Sequence, residues 1–277
     1  MKPFDRWCVG RRCRSIVAAT LALGMAAACG VSRAVAESAQ IAGREAAQNA
    51  ELDRVIPAAM REAKIPGSIV GVWREGRRPY LRAFGVANTR TGAPMRTDFN
   101  VRIASLTKSF TVQAILQLVK DGKVGLDDPI GKYVSGVPRG RVITLRQLAA
   151  MRSGLFNYLA ELGPKLYKHP QRAWTPQELL DIAFSKPLQF QPGTQFDYSN
   201  TNTVLLGLVV EKASGIPLHR YIRERITKPL GLRHTFLPSG AGTLPSPHPH
   251  GYTADTPDNK VVDATNWNPS FGWAAGG

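Results

Sequence analysis

Ser105-Leu106-Thr107-Lys108 sets a hydroxyl and an amine three residues apart. At the start of a helix, positions i and i+3 share a face, so the amine falls near the hydroxyl. A serine hydroxyl is a weak nucleophile at neutral pH and needs a neighbouring base or a strong local field. A lysine desolvated near other positive charge loses proton affinity, and can accept the hydroxyl proton or support another base that does. The helix N-terminus adds the positive end of its dipole where an oxygen turns negative during acyl transfer. On its own the tetrapeptide also reads as a surface serine and lysine on an amphipathic helix. Ninety-odd residues on, Tyr198-Ser199-Asn200 offers a second element. A tyrosine phenolate beside a lysine ammonium can shuttle protons between nucleophile and leaving group. An asparagine side chain can hydrogen-bond a substrate amide. The tripeptide equally fits a loop tyrosine followed by an asparagine that caps the next helix.

The elements that must hold these residues follow from periodicity and punctuation. Leu52, Val55, Ile56, Ala59, Met60 and Ala63 predict an amphipathic helix over 44–64, kinked at Pro57 and ended by Pro66-Gly67. Runs over 68–73 and 80–86, separated by Glu75-Gly76, predict a β-hairpin. Ser105 follows that hairpin and opens a helix whose apolar period runs from Leu106 to Lys120, with Gly122 as its stop. Thr144 with Gln147, and Thr175 with Glu178 behind Pro176, are capping boxes. Helices are predicted over 202–213, closed by Gly215, and over 218–227. Beyond about residue 237, Pro245, Pro247, Pro249, Pro257 and Pro269 exclude long helices.

Composition bounds the class. With 277 residues, 43% hydrophobic and 20% charged, the chain has enough apolar content for a sizeable core and is no disordered tail. Its three cysteines, Cys8, Cys13 and Cys29, all fall in the first thirty residues, which excludes a disulfide framework or cysteine metal site in the body. Arg6, Arg11, Arg12 and Arg14, the apolar run 15–29 and Ala34-Val35-Ala36 have the layout of an export signal over 1–36, with a mature start at Glu37. Fifteen apolar residues fall short of the roughly 20 that span a bilayer, so no integral span is expected after cleavage. The expected location is periplasmic or secreted; a lipoprotein through Cys29, in Ala27-Ala28-Cys29-Gly30, is the lesser option. Residues 1–36 hold six Lys/Arg and one Asp, so the formal charge of +16 falls to +11 over 37–277. That charge is spread along the chain, and with export it argues against a nucleic-acid groove. No glycine-rich phosphate loop precedes a helix, so no nucleotide or other cofactor is expected. His169, His219, His234, His248 and His250 include one close pair, His248 and His250, read as solvated; no metal site is expected.

Taken together, Arg102 to Phe110, Leu116-Gln117-Leu118-Val119, Gly122-Lys123-Val124, Leu126-Asp127-Asp128-Pro129-Ile130 and Ile143 to Leu148 resemble one known family. The resemblance continues through Arg152-Ser153-Gly154-Leu155, Gln191-Pro192-Gly193, Tyr198 to Asn202, and Pro229-Leu230-Gly231-Leu232 with Thr235-Phe236. The family is that of serine D-alanyl-D-alanine carboxypeptidases and class C β-lactamases, and the flavour is closest to the secreted carboxypeptidases. The resemblance implies an α/β plus all-α, β-lactamase/transpeptidase-like fold of two subdomains. A partial α/β subdomain would occupy 44–104, and the nucleophile helix with a mostly helical subdomain 105–277. It implies Ser105 as acylated nucleophile, Lys108 as its activator, Tyr198 as proton relay and Asn200 as substrate amide contact, with the Ser105 backbone N–H as one oxyanion donor. It implies a peptidoglycan peptide or a β-lactam as the small-molecule partner. The alternatives it leaves are a β-lactamase, an esterase or amidase, and a non-catalytic remnant. The remnant reading rests on one departure: the family's third motif, Lys or His, then Thr or Ser, then Gly, occurs nowhere here. By that comparison the C-terminal strands and helix of the α/β subdomain are expected to be missing.

Overall fold

The computed structural model describes residues 39–239, 244–254, 256, 258 and 260–276; the expected export segment 1–36 lies outside them. The chain divides into two compact units, one up to Val86 and one from Ala87. Residues 87–104, expected with the first, therefore belong to the second.

In the first unit, helix α1 covers residues 39–62 and continues through Pro57 without a break. Strands β1 (Gly67–Val72) and β2 (Tyr80–Gly85) form the predicted hairpin, antiparallel, with Val72 opposite Tyr80 and Gly67 opposite Gly85. Each strand stops one residue short of its predicted end, and Trp73 is left exposed in the turn. Helix and hairpin are joined by side-chain hydrogen bonds. The buried Tyr80 donates its hydroxyl to Asp53 of α1 at 2.6 Å, and Ser68 donates to the Met60 sulfur at 3.1 Å. Burial, reinforced by the Asp53 carboxylate, pushes the Tyr80 phenol up to about 12. Gly85 has φ +71°, and a side chain there would run into the Pro66 carbonyl.

The second unit is helical around one central strut. A short 3-10 turn, Ala104–Leu106, leads into α2 (Thr107–Lys120), followed by α3 (Leu145–Ala149), α4 (Leu159–Lys168) and α5 (Pro176–Phe184). Then come α6 (Asn200–Ser214) and α7 (Leu218–Ile222), the latter passing into a π-helical turn, Arg223–Thr227. A two-residue ladder pairs β3 (Tyr252–Thr253) with β4 (Val262–Asp263), and a last 3-10 turn spans Pro269–Gly272. Val204, Leu205, Leu206, Val209 and Val210 of α6 are fully buried. They pack against Ala114, Ile115 and Leu118 of α2 and join the core formed with α3, α5 and α7. Both predicted capping boxes form, at Thr144 with Gln147 and at Thr175 with Glu178. Gly215, left-handed at φ +76°, ends α6 as expected.

Three local expectations need correction. Helix α6 starts two residues earlier than predicted, because Asn200 takes the first helical position instead of lying in the loop. Helix α4 was not anticipated; Gly163-Pro164 in its middle breaks the sequence pattern. His250 is not a solvated loop histidine: its ring lies 2.6 Å from the Asp263 carboxylate and 2.9 Å from the Asn88 amide, tying the 88–93 turn to β4. Among the described residues no three His, Cys, Asp or Glu cluster at metal-binding distance, and no helix is long and apolar enough to cross a membrane.

Because α6 is the strut, Leu205→Ala should cost about 2–5 kcal/mol of unfolding free energy. Thr175→Ala, which removes only a cap, should cost about 1 kcal/mol. Chemical denaturation followed by helical ellipticity measures both; equal losses would contradict the central role given to α6.

Candidate active site

Three pieces of the second unit meet at one point: the start of α2, the start of α6 and the turn 273–276. Ala104 immediately precedes Ser105 and has φ +45°. Left-handed backbone at a residue with a side chain costs about 1–2 kcal/mol, and such strain collects at functional positions. It turns the chain so that Ser105 is exposed while Lys108, one turn along, is buried. Ser105 also lies in the first turn of its helical segment, where the leading N–H groups have no intrahelical acceptor. Such an N–H is free to donate to an oxygen outside the helix.

Lys108 is the hub. Its Nζ donates to Ser105 Oγ at 3.2 Å, to Asn200 Oδ1 at 2.7 Å and to the Ala275 carbonyl at 2.6 Å. An ammonium has three N–H groups, and each has an acceptor here. The Tyr198 ring lies 4.8 Å from the same nitrogen, and the Tyr198 hydroxyl donates to Ser105 Oγ at 2.7 Å. The Ser105 oxygen is therefore held from two sides, by a cation and by a phenol. Partial burial raises the Tyr198 pKa, but hydrogen bonds with Lys108 and Ser105 and the Lys108 charge together outweigh it. The net shift is downward from the ordinary phenol value. Nearby Tyr158, deeply buried and facing Tyr198, is pushed upward by desolvation first and by that neighbour second.

The structure brings together all four residues singled out in the sequence: Ser105, Lys108, Tyr198 and Asn200. Two further contributors escaped sequence reading. One is the turn 273–276. Its Ala275 carbonyl accepts from Lys108, and its Ala274 carbonyl accepts from the buried Thr111 hydroxyl at 2.8 Å. A Cβ on Gly276 would sit 3.1–3.2 Å from the Ala104–Ser105 peptide, and one on Gly207 of α6 would meet Ala274 at 2.8 Å. Two glycines thus let the turn approach both helices closely. Backbone carbonyls carry no residue-type signal, although the small residues of Ala274-Ala275-Gly276 are consistent with close approach. The second contributor is Asn157, just ahead of α4, whose Oδ1 lies 3.2 Å from Asn200 Nδ2. Ser199, at the N-cap of α6, is buried, and its hydroxyl has no hydrogen-bond partner among the described residues.

Residues 52–277 match the family model described as Beta-lactamase, and the chain belongs to that family. Its fold is the β-lactamase/transpeptidase-like fold. It is 35% identical over 197 residues to Esterase EstB of Burkholderia gladioli, covering 66% of this chain and 50% of that protein. It is 30% identical over 232 residues to a putative D-alanyl-D-alanine carboxypeptidase of Escherichia coli O157:H7, covering 76% of this chain and 53% of the relative. Among solved structures it resembles a D-stereospecific amidohydrolase from Streptomyces sp., with 35% identity and a TM-score of 0.69. That likeness covers 76% of this chain and 63% of the other. The chain spans about half the length of the curated relatives it matches.

Because Lys108 accounts for two of the three influences that lower the Tyr198 pKa, Lys108→Met should move that titration upward. Ultraviolet absorbance of tyrosinate, taken as a difference against Tyr198→Phe, reads the single group. A folded-state pKa below the unfolded one adds stability at alkaline pH, which is lost as pH falls through the folded value. The parent should therefore gain stability relative to Tyr198→Phe at high pH and not at neutral pH. An unmoved titration in Lys108→Met would separate the two residues.

Proposed function

We propose that this protein is a serine acyl hydrolase working through an acyl-Ser105 intermediate, and that it removes a terminal D-amino acid from peptides of the D-alanyl-D-alanine type. The observation that carries the reading is the pair of hydrogen bonds on Ser105 Oγ from Lys108 and Tyr198. Lys108 serves in this arrangement as a donor, its Nζ in hydrogen-bond reach of Ser105, Asn200 and the Ala275 carbonyl. It lowers the energy of negative charge on both oxygens beside it. In the reactive form Tyr198 is ionised, as its lowered pKa favours, and its contact with Ser105 runs the other way: the Ser105 hydroxyl donates to the phenolate and hands it the proton as Oγ attacks the substrate carbonyl. The tetrahedral oxyanion forms beside the Ser105 N–H. Its collapse breaks the bond to the leaving amine, which departs with the proton held by Tyr198. Water then attacks the acyl ester and gives its proton to Tyr198; collapse breaks the bond between Ser105 Oγ and the acyl carbon, releases the acid, and Tyr198 returns the proton to Oγ.

The D-amino-acid preference is supported by the relatives. One is a putative D-alanyl-D-alanine carboxypeptidase; among structures, a D-stereospecific amidohydrolase and a D-amino acid amidase of Ochrobactrum anthropi SV3 match with TM-scores of 0.69 and 0.68. An ester substrate is the second reading, favoured by the 35% identity to Esterase EstB. β-Lactams, which present a strained amide to the same nucleophile, are the expected covalent probes. The basic, apolar and small-residue segments of 1–36 support export to the compartment where peptidoglycan lies.

The test is the intact mass of residues 37–277 after incubation with penicillin, with Ser105→Ala in parallel. An adduct on the parent alone is expected, and Ser105→Ala or Lys108→Ala should slow hydrolysis of a D-alanyl peptide by on the order of 10³-fold or more. A long-lived adduct fits the carboxypeptidase, rapid turnover of the drug fits a β-lactamase, and faster cleavage of p-nitrophenyl acetate than of the peptide fits an esterase. A folded chain that forms no adduct and cleaves none of these would overturn the hydrolase reading.

A further inference from the structure

Asn200 can serve Lys108 only if its amide is turned one way round, and its own side chain does not decide that. An ammonium donates and cannot accept, so the atom of Asn200 that faces Lys108 at 2.7 Å has to be Oδ1. Turned by half a revolution, the same side chain would present an NH₂ group to a cation. Something else must hold the nitrogen on the far side.

The geometry points to Asn157 as that positioning residue, and this inference rests on the hydrolase reading for its catalytic consequence. The Asn157 Oδ1 accepts from three donors: the Leu159 backbone N–H at 3.3 Å, the Asn200 backbone N–H at 3.3 Å and the Asn200 Nδ2 at 3.2 Å. The first two are main-chain donors, which cannot exchange roles. They require the near atom of Asn157 to be its oxygen. That oxygen in turn requires the near atom of Asn200 to be its nitrogen, which leaves Asn200 Oδ1 directed at Lys108. Orientation therefore passes from two fixed peptides, through Asn157 and Asn200, to the charge beside the nucleophile. Asn157 also takes over a local task. Asn200 is the first residue of α6, its N–H is one of the donors a helix start leaves unpaired, and Ser199 at the N-cap provides no side-chain acceptor. Asn157, 43 residues away in sequence, accepts that N–H instead. One oxygen thus fixes the beginning of α6 and the direction of the amide it carries.

The experiment compares Asn157→Ala with Asn157→Asp. Aspartate keeps an acceptor oxygen in the same place, while exchanging the NH₂ group for a second oxygen and a negative charge; alanine loses the acceptor. Side-chain amide resonances of Asn200, assigned by their absence in Asn200→Ala, report the orientation without any need for catalysis. They should shift and lose exchange protection in Asn157→Ala and remain protected in Asn157→Asp. The rate of acylation by penicillin should fall by about 10²-fold in Asn157→Ala, as a displaced catalytic arrangement does, and should recover to within a few-fold of the parent in Asn157→Asp. Protected Asn200 resonances in Asn157→Ala would overturn the proposal. So would an Asn157→Asp variant whose Asn200 resonances are as unprotected as in Asn157→Ala, because an acceptor oxygen at position 157 would then not be what holds the amide. If the parent is not acylated at all, the hydrolase reading falls, and the Asn200 resonances still decide the positioning role. Thermal unfolding of both variants separates a loss of fold from a loss of orientation.

Discussion

A single buried ammonium organises the site. Withdrawing a charge from water is expensive unless hydrogen bonds replace its hydration, and Lys108 obtains its three replacements from separate stretches of chain: its own helical start, the first residue of α6 and the turn at 273–276. Each of those stretches has to stay within hydrogen-bond reach for the buried amine to keep its partners. Much of the surrounding architecture can be read as the means of doing so. Gly207 lets the turn settle on α6, Gly276 lets it lie against the Ser105 peptide, and Thr111 fixes the neighbouring carbonyl.

Helix α6 carries this requirement into the core. Its first turn is polar yet buried, with Asn200, Thr201, Asn202 and Thr203 all shielded from water, and its later turns are apolar. The polar turn is paired throughout: Thr201 donates to the Phe156 carbonyl, Asn202 accepts from Ser153, and Thr203 donates to the Asn200 carbonyl. Such a satisfied network is costly to disturb, since any lost partner leaves a buried polar group alone. The same helix therefore forms the floor of the site at one end and the centre of the hydrophobic core along the rest of its length.

Legibility in the sequence followed the kind of signal involved. Ser105 and Lys108 could be read because helical spacing places them together and because a strongly periodic helix follows. The capping boxes and the Gly215 stop could be read because each depends on side chains three residues apart or on one residue type. Tyr198 and Asn200 were legible as types but not in register. The tripeptide reads as a loop with a cap, whereas an acceptor from distant Asn157 allows α6 to begin two residues sooner. Helix α4 was hidden by Gly163-Pro164, which tertiary packing overrides. The Ala275 carbonyl was beyond reach, because a main-chain acceptor has no signature in residue type.

The three acceptors around Lys108 converge on one nitrogen from different directions. A tetrahedral NH₃⁺ can meet all of them at once. A guanidinium spreads its donors over three nitrogens confined to a plane, and holds its proton at every accessible pH. The cradle is thus selective for cation shape as well as charge. Arginine at this position would conserve the positive sign while leaving at least one of Asn200, Ala275 and Ser105 unmet, so charge conservation is a poor guide to what position 108 tolerates.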